Sequence, residues 1–413
     1  MRTRYVRIAW LIGAYREPKW RLQGAEMQEF SILENAWLET ENGRVVDFGP
    51  MDTLPSGHAD LVVDGSGRVL MPAFADSHTH IVFARWRESE FVDRIGGLSY
   101  EEIAQKGGGI LNSALALADA DPIRLLDDAY ARVEAMMAQG TAALEIKSGY
   151  GLSEASELKM LRVIRQIKER APIPVKASFL GAHAVPLAYK NDRVGYINLL
   201  IDRILPQIAA EGLADYMDVF CDRGFFTVPE TDRLLEAGWK YGLRPKIHAN
   251  ELDFSGGVQI GVQHNALSVD HLECMGEAEI QALLGTETMP TLLPGTAFFL
   301  GLHPPPARTL IDSGLGVALA SDYNPGSSPS GSMPFVLSLG CVLLKMKPIE
   351  TFAAATMNAA YALELQSELG TLSPGKRAAL VLSRPVSSPD FLCYAYTEPW
   401  IERVELGRSL PSS

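Results

Sequence analysis

Hydrophobic and polar positions fall into three textures along the chain. Up to about residue 70 they alternate over short spans that break at turns. Ser31 to Glu39 is partly alternating, Glu41-Asn42-Gly43 supplies a turn, and Arg44 to Phe48 returns. Asp64-Gly65-Ser66-Gly67 separates Leu61-Val62-Val63 from Arg68-Val69-Leu70 in the same way. From Met71 onward, segments of helical period alternate with short apolar runs. Leu125 to Ala138 is amphipathic with Gly140 at its stop, and Thr141 to Ile146 follows as a strand. Ser153 is placed to cap a helix reaching Arg170, and Val175 to Leu180 is the next strand. Thr227-Val228-Pro229 opens a helix that Gly242 ends, and Arg244 to Ala249 is extended. Pro306 to Ser313 reads as a helix and Gly316 to Ser321 as an apolar strand. The chain then reverts to short strands, Ala378 to Ser383 and Ile401 to Leu406, with turns at Pro374-Gly375 and Ser387 to Pro389.

Strand–helix alternation repeated this often predicts a parallel sheet of the α/β class. Over about 290 residues a (β/α)8 barrel is its natural closure. A doubly wound sheet competes, but no GxGxxG follows an early strand. The two strand-rich ends are expected to pair into a small β domain of sandwich type, residues 1–70 with 365–413, and the barrel to occupy 71–364. Arg2, Arg4 and Arg7 precede the apolar stretch Ile8 to Tyr15. That stretch is short for an export signal and no small-x-small site follows, so a first strand and a cytoplasmic location are expected.

Composition narrows the chemistry. The net charge is −13, from 50 acidic and 37 basic residues, which argues against non-specific nucleic-acid binding. No apolar run reaches the roughly 20 residues needed to span a bilayer. Cys221, Cys274, Cys341 and Cys393 are far apart with no CxxC pair, which disfavours a disulfide framework and a thiolate zinc site. The histidines carry more. His78 and His80 form an HxH after Phe74-Ala75-Asp76, and residues i and i+2 of a strand share a face. His248 ends Arg244 to Ile247, His271 ends Leu267 to Asp270, and Asp322 ends Val317 to Ser321. A lone histidine there is commonly structural. In a barrel, however, the C-terminal strand ends meet at one mouth, where imidazoles and a carboxylate converge as a metal ion needs.

This HxH, the later histidines and the final Asp resemble the amidohydrolase superfamily. The resemblance implies one metal ion, zinc or iron, held by His78, His80, His248 and Asp322, with His271 near the activated water. Lys147-Ser148-Gly149-Tyr150-Gly151, Gly181-Ala182-His183-Ala184-Val185-Pro186 and Leu293 to Phe299 further resemble imidazolonepropionase motifs. So do Arg87-x-x-Glu90-Phe91, Gly107-Gly108-Gly109-Ile110 and Asp322-Tyr323-Asn324-Pro325-Gly326-Ser327. The family resemblance implies hydrolysis of 4-imidazolone-5-propanoate to N-formimidoyl-L-glutamate.

It also implies roles. Arg87 would take the propionate, as a guanidinium suits a carboxylate. Tyr150, His183, Glu251, Asn324, Gly326 and Ser327 would touch substrate. His183 would polarise the ring carbonyl, and Glu251 would hold ring nitrogens and return a proton. His271 or Asp322 would be the general base. A carbamylated lysine is common in two-metal members, but Lys147 reads as part of its glycine-flanked loop, so a single metal is expected. Asn250, Tyr323 and Arg85-Trp86 depart from the family pattern beside the site. The expected partner is a small molecule, with no nucleic acid or membrane, and the expected assembly a homodimer. The alternative is a deaminase of a nucleobase-like ring. A neutral base has no carboxylate for Arg87, so Arg87, Tyr150 and His183 discriminate.

Overall fold

The computed structural model of the chain describes residues 1–98 and 108–407. Gly107 of the glycine run and residues 408–413 of the expected small β domain lie outside the described residues. Fifteen strands follow in order among these residues. They are β1 (Arg2–Ile12), β2 (Ile32–Glu41), β3 (Arg44–Pro50), β4 (Leu61–Asp64), β5 (Val69–Pro72), β6 (Phe74–Asp76), β7 (Thr141–Lys147) and β8 (Val175–Ala182). Then come β9 (Tyr216–Cys221), β10 (Arg244–Ala249), β11 (Ser268–His271), β12 (Met289–Leu292), β13 (Ala318–Leu319), β14 (Ala379–Ser383) and β15 (Ile401–Leu406).

Strands β6 to β13 form one eight-stranded sheet in sequence order, every ladder parallel. This is the (β/α)8 barrel. Its strands are buried on both faces, as parallel strands under helices must be, which is why they read as unbroken apolar runs. Several of the helices between them start where side chains satisfy the first free N–H groups. Asp121 accepts from Ile123 N at 2.8 Å ahead of Pro122–Ala138. Ser153 accepts from Ser156 N ahead of Glu154–Arg170. Thr227 and Glu230 form a reciprocal capping box ahead of Val228–Lys240.

The last barrel strand is shorter than the expected Gly316 to Ser321. Ser321 leaves the ladder because its N–H and hydroxyl both donate to the buried Asp76 carboxylate, at 3.0 and 2.5 Å. Between β13 and β6, closure rests on these side-chain bonds, on Asp322 N to His78 O (3.0 Å) and His80 N to Tyr323 O (2.9 Å), and on an isolated bridge between Thr79 and Tyr323.

The strands of both chain ends join one seven-stranded sheet, ordered β15-β14-β5-β1-β2-β3, with β4 beside the first half of β1. β1 bends between Tyr5 and Ile8, where Arg7 has φ +53°. The sheet curls so that Val45 N reaches Lys376 O and Ala378 N reaches Gly43 O. Where a two-sheet sandwich is expected, one curled sheet encloses its own core of Tyr5, Ile8, Leu11, Leu38, Leu70 and Leu380. Only Ala73 separates β5 from β6, and Ala73 N bonds Ala379 O while Phe74 N bonds Gly140 O. This joint seats the small sheet against the N-terminal end of the barrel, away from the mouth. We propose the expected division of the chain, 1–70 with 365–413 and 71–364, with its first boundary moved to Pro72, because Met71 and Pro72 pair with β14 in the small sheet. Among the described residues no helix is long and apolar enough to cross a membrane.

Candidate active site

The barrel mouth gathers the histidines. His78 and His80 follow β6, His248 lies in β10, His271 ends β11 and Asp322 follows β13. All five are buried. His80 Nε2 lies 3.3 Å from His78 Nε2 and 3.4 Å from His248 Nε2. Asp322 Oδ1 lies 3.6 Å from His78 Nε2 and 3.5 Å from His80 Nε2. Four ligands at about 2.1 Å from a tetrahedral ion stand roughly 3.4 Å apart. These four spacings match that figure, and His78, His80 and Asp322 form one group within ligand range, so the residues fit a metal ion. His78, His248 and His271 also come within ligand range of one another.

What lies behind these side chains points the same way. His78 Nδ1 meets Asp270 Oδ2 at 2.7 Å, and His248 Nδ1 meets Asp218 Oδ1 at 3.1 Å. With the ring protons on Nδ1, both Nε2 lone pairs face the centre. Burial pushes His78 and His80 well below the ordinary imidazole range, which keeps them neutral and able to ligate. Burial raises Asp322 to about 6, against the Thr296 hydroxyl, which donates to Oδ2 at 2.5 Å.

Beneath lies a closed ionic network. Lys147 Nζ contacts Glu145 at 2.6 Å and Asp218 at 2.7 Å, and Lys246 pairs with Glu145 while donating to Ser77 O. Lys147 ends the second barrel strand rather than sitting in the loop after it. Burial opposes its charge, but Asp218, Glu145 and Asp270 outweigh that and hold it above the usual lysine value. An ammonium so paired is not available as a carbamate.

Above the metal site is a cavity of about 340 Å³. Its lining includes His80, Arg87, Tyr150, His183, His248, Glu251, His271, Asp322, Asn324, Gly326 and Ser327. Of the expected site residues only His78 stays out of that lining, at 0% exposure beneath it. Arg87 donates Nε and Nη2 to Glu90 at 2.8 and 2.7 Å, and Glu90 also accepts from Gly109 N and Asn112. The remaining Nη1 lies against Gly326, where a Cβ would stand 2.3 Å away. Asn324 Oδ1 accepts from Gly326 N and Ser327 N, both at 2.8 Å, and its Nδ2 donates to Asp322 O and Ser327 Oγ. Asn324 therefore shapes the loop with the same groups that were expected to meet substrate.

On the opposite wall, His183 Nδ1 faces Gly149 O at 3.1 Å, and burial lowers its pKa to about 3. Burial, then repulsion from Asp322 and Asp222, raises Glu251 to about 8. The residues that depart from the family pattern sit outside this lining. Asn250 takes a left-handed conformation (φ +55°), which Asn tolerates, and donates to Cys274 O. Trp86 packs between Phe83, edge to face, and Tyr323, tilted, with Arg132 over the Phe83 ring.

Sequence reasoning missed Asp218, Asp270, Thr296, Lys246 and the buried Glu273, which lies 3.9 Å from His271 Nδ1. A signal was present: Asp218 and Asp270 are lone carboxylates inside apolar strand runs, and such a group must be paired.

A parallel barrel with three imidazoles and a carboxylate at its mouth defines a metal-dependent amidohydrolase. The amidohydrolase family profile matches residues 233–397. Among solved structures, 5-methylcytosine deaminase from Klebsiella pneumoniae superposes with TM-score 0.71 at 15% identity, covering 98% of this chain and 97% of that one. Atrazine chlorohydrolase from Arthrobacter aurescens, complexed with zinc, superposes with TM-score 0.68 at 14% identity, covering 98% and 94%. Both share the fold.

The curated relatives are more specific. The imidazolonepropionase of Christiangramia forsetii is 48% identical over 390 residues, 94% of this chain and 95% of that one. That of Flavobacterium johnsoniae is 50% identical over 384 residues, 93% of each. The chain belongs to the imidazolonepropionase family. The family and the His/Asp cluster together imply a divalent metal.

Proposed function

We propose that the chain hydrolyses 4-imidazolone-5-propanoate to N-formimidoyl-L-glutamate with one zinc or iron ion held by His78, His80, His248 and Asp322. The observation that carries the reading is one cavity with this cluster at its floor and Arg87 on its wall. An ion bound there supplies a Lewis acid and lowers the pKa of water from roughly 16 to about 7.

The chain's own groups do the rest. Arg87 Nη1, beside Gly326 and the Ser327 hydroxyl, takes the propanoate. Because Glu90 fixes the guanidinium from behind, the carboxylate meets an oriented donor rather than a mobile one. Asp322, with Oδ1 toward His78 and His80 and Oδ2 held by the Thr296 hydroxyl, is the general base. His271, packed against His78 and His248 and backed by Glu251 and Glu273, orients the attacking water. Glu251 carries a proton at neutral pH and delivers it to the leaving ring nitrogen. Tyr150 and His183 close the side of the ring away from Glu251.

The test is ultraviolet-monitored loss of freshly made 4-imidazolone-5-propanoate by the metal-loaded enzyme, before and after chelation. Turnover that stops with chelator and returns with zinc or iron supports the proposal. No turnover by metal-loaded protein refutes it. We also propose a cytoplasmic homodimer; a monomer by sedimentation equilibrium would overturn the second half of that statement.

A further inference from the structure

The glycine-flanked loop after β7 has an organiser that the reaction scheme above does not use. Glu157, in the first turn of the helix Glu154–Arg170, is fully buried. Its Oε2 accepts from Gly149 N at 3.2 Å, and its Oε1 accepts from Gly151 N at 2.7 Å and Leu152 N at 3.0 Å. The Ser148 hydroxyl adds a fourth donor. Three backbone N–H groups flanking Tyr150, those of Gly149, Gly151 and Leu152, therefore point at one carboxylate.

Both glycines are demanded by this arrangement. A Cβ on Gly151 would lie 2.3 Å from Glu157 N and 2.7 Å from Glu157 Oε1. Gly149 has φ +108°, and a Cβ there would lie 2.9 Å from His183 Nδ1. Gly149 is thus held on both sides of its Cα, its N–H on Glu157 and its C=O on His183 Nδ1 at 3.1 Å.

A carbonyl oxygen only accepts, so Nδ1 must carry the ring proton. Nε2 then bears a lone pair toward the cavity that His183 lines. A ring held this way accepts a hydrogen bond from substrate and gives none to a carbonyl. The resemblance suggested carbonyl polarisation by His183; the clamp argues for the opposite polarity.

We propose that Glu157 is a positioning residue which, by fixing the backbone on both sides of the Gly149 carbonyl, locks His183 with Nε2 as an acceptor for a ring N–H of the substrate. This rests on the imidazolone ring occupying the cavity. Glu157→Gln gives the physical contrast. One amide NH2 must replace an oxygen that faces backbone N–H groups, donor against donor, so the loop shifts and the Gly149 carbonyl moves off His183.

The experiment reads the two ring nitrogens of His183 by 15N NMR of histidine-labelled, zinc-loaded protein, with His183→Gln used to assign the signals. The same preparations give KM and kcat for 4-imidazolone-5-propanoate. The expected wild-type result is a proton on Nδ1 and a bare Nε2. The expected Glu157→Gln result is a proton shared with Nε2 and a KM at least tenfold higher, with kcat changed less. Glu157→Asp, too short to reach the Gly149 N–H, serves with the same readouts if the Gln variant does not fold. A wild-type proton on Nε2 overturns the acceptor assignment. A Glu157 variant that keeps the Nδ1 proton and the wild-type KM overturns the role of Glu157. Failure of the catalytic reading itself is separate, because wild-type protein without turnover still reports its His183 tautomer.

Discussion

Asp270 is the sharpest test of how the metal site is built. It is fully buried, donates nothing, and takes His78 Nδ1–H at 2.7 Å. Its other oxygen accepts from the Ser268 hydroxyl at 2.5 Å. Two substitutions separate its two contributions. Asp270→Asn leaves an acceptor oxygen for His78 and removes the negative charge. Asp270→Leu removes both, so the His78 ring loses the contact that fixes its tautomer. Carboxylates behind metal-bound histidines are worth roughly 10- to 100-fold in metal affinity. The Asn variant is expected near the lower figure, about 1.4 kcal/mol, and the Leu variant near the upper, about 2.8 kcal/mol.

The fold should survive the Asn change. Lys147 and Lys246 stand 3.6 and 4.0 Å from Asp270, farther than from Glu145. Both ammonium groups therefore keep their principal partner. The assay is competition for zinc with a chromophoric chelator, beside thermal unfolding of the metal-free proteins. An Asn variant with wild-type zinc affinity, or a Leu variant no weaker than the Asn variant, would refute the reasoning.

Other consequences follow from the cavity. Arg87→Lys loses the planar fork held by Glu90, and hydrogen bonds to charged groups are worth about 1.5–3 kcal/mol, so KM should rise about tenfold or more with metal content unchanged. A wild-type KM would remove Arg87 from the propanoate site. Gly326→Ala should have a similar effect by driving a methyl into Arg87 Nη1, and titration of a substrate analogue by calorimetry checks it. Glu251 donates its proton only below its raised pKa, so kcat should fall as pH rises through about 8, and Glu251→Gln should be slow at every pH with that alkaline limb gone. Persistence of the limb in Glu251→Gln would assign it to another group.

The fold was legible because its signals are local. Caps at Ser153 and Thr227, the stop at Gly140 and the apolar strands gave the alternation, and alternation of that length closes as a barrel. The barrel mouth then brings His78, His80, His248, His271 and Asp322 together from their places at strand ends alone. What the sequence hid is contact between distant positions. Asp270 serves His78 across 192 residues, and Lys246 reaches Glu145 across 101. No periodicity encodes such pairings. The curl of the small sheet was hidden for the same reason, since it depends on Val45 meeting Lys376. The early end of β13 was hidden too, because the pull of Asp76 on Ser321 acts from the other end of the barrel sequence.

That early end has a mechanical consequence. The cylinder is laced shut at its first and last strands by a few side-chain bonds and one bridge, whereas every other strand pair shares a ladder. An ion held as proposed, by His78 and His80 on one side and Asp322 on the other, would span that seam. It is then a cross-link as well as a reagent, and its removal takes a fastener from the weakest line of the wall. Amide exchange at Asp322 and Tyr323 should quicken on chelation before exchange in β8 to β10 does, so loss of catalysis and the first opening of the barrel would be one event.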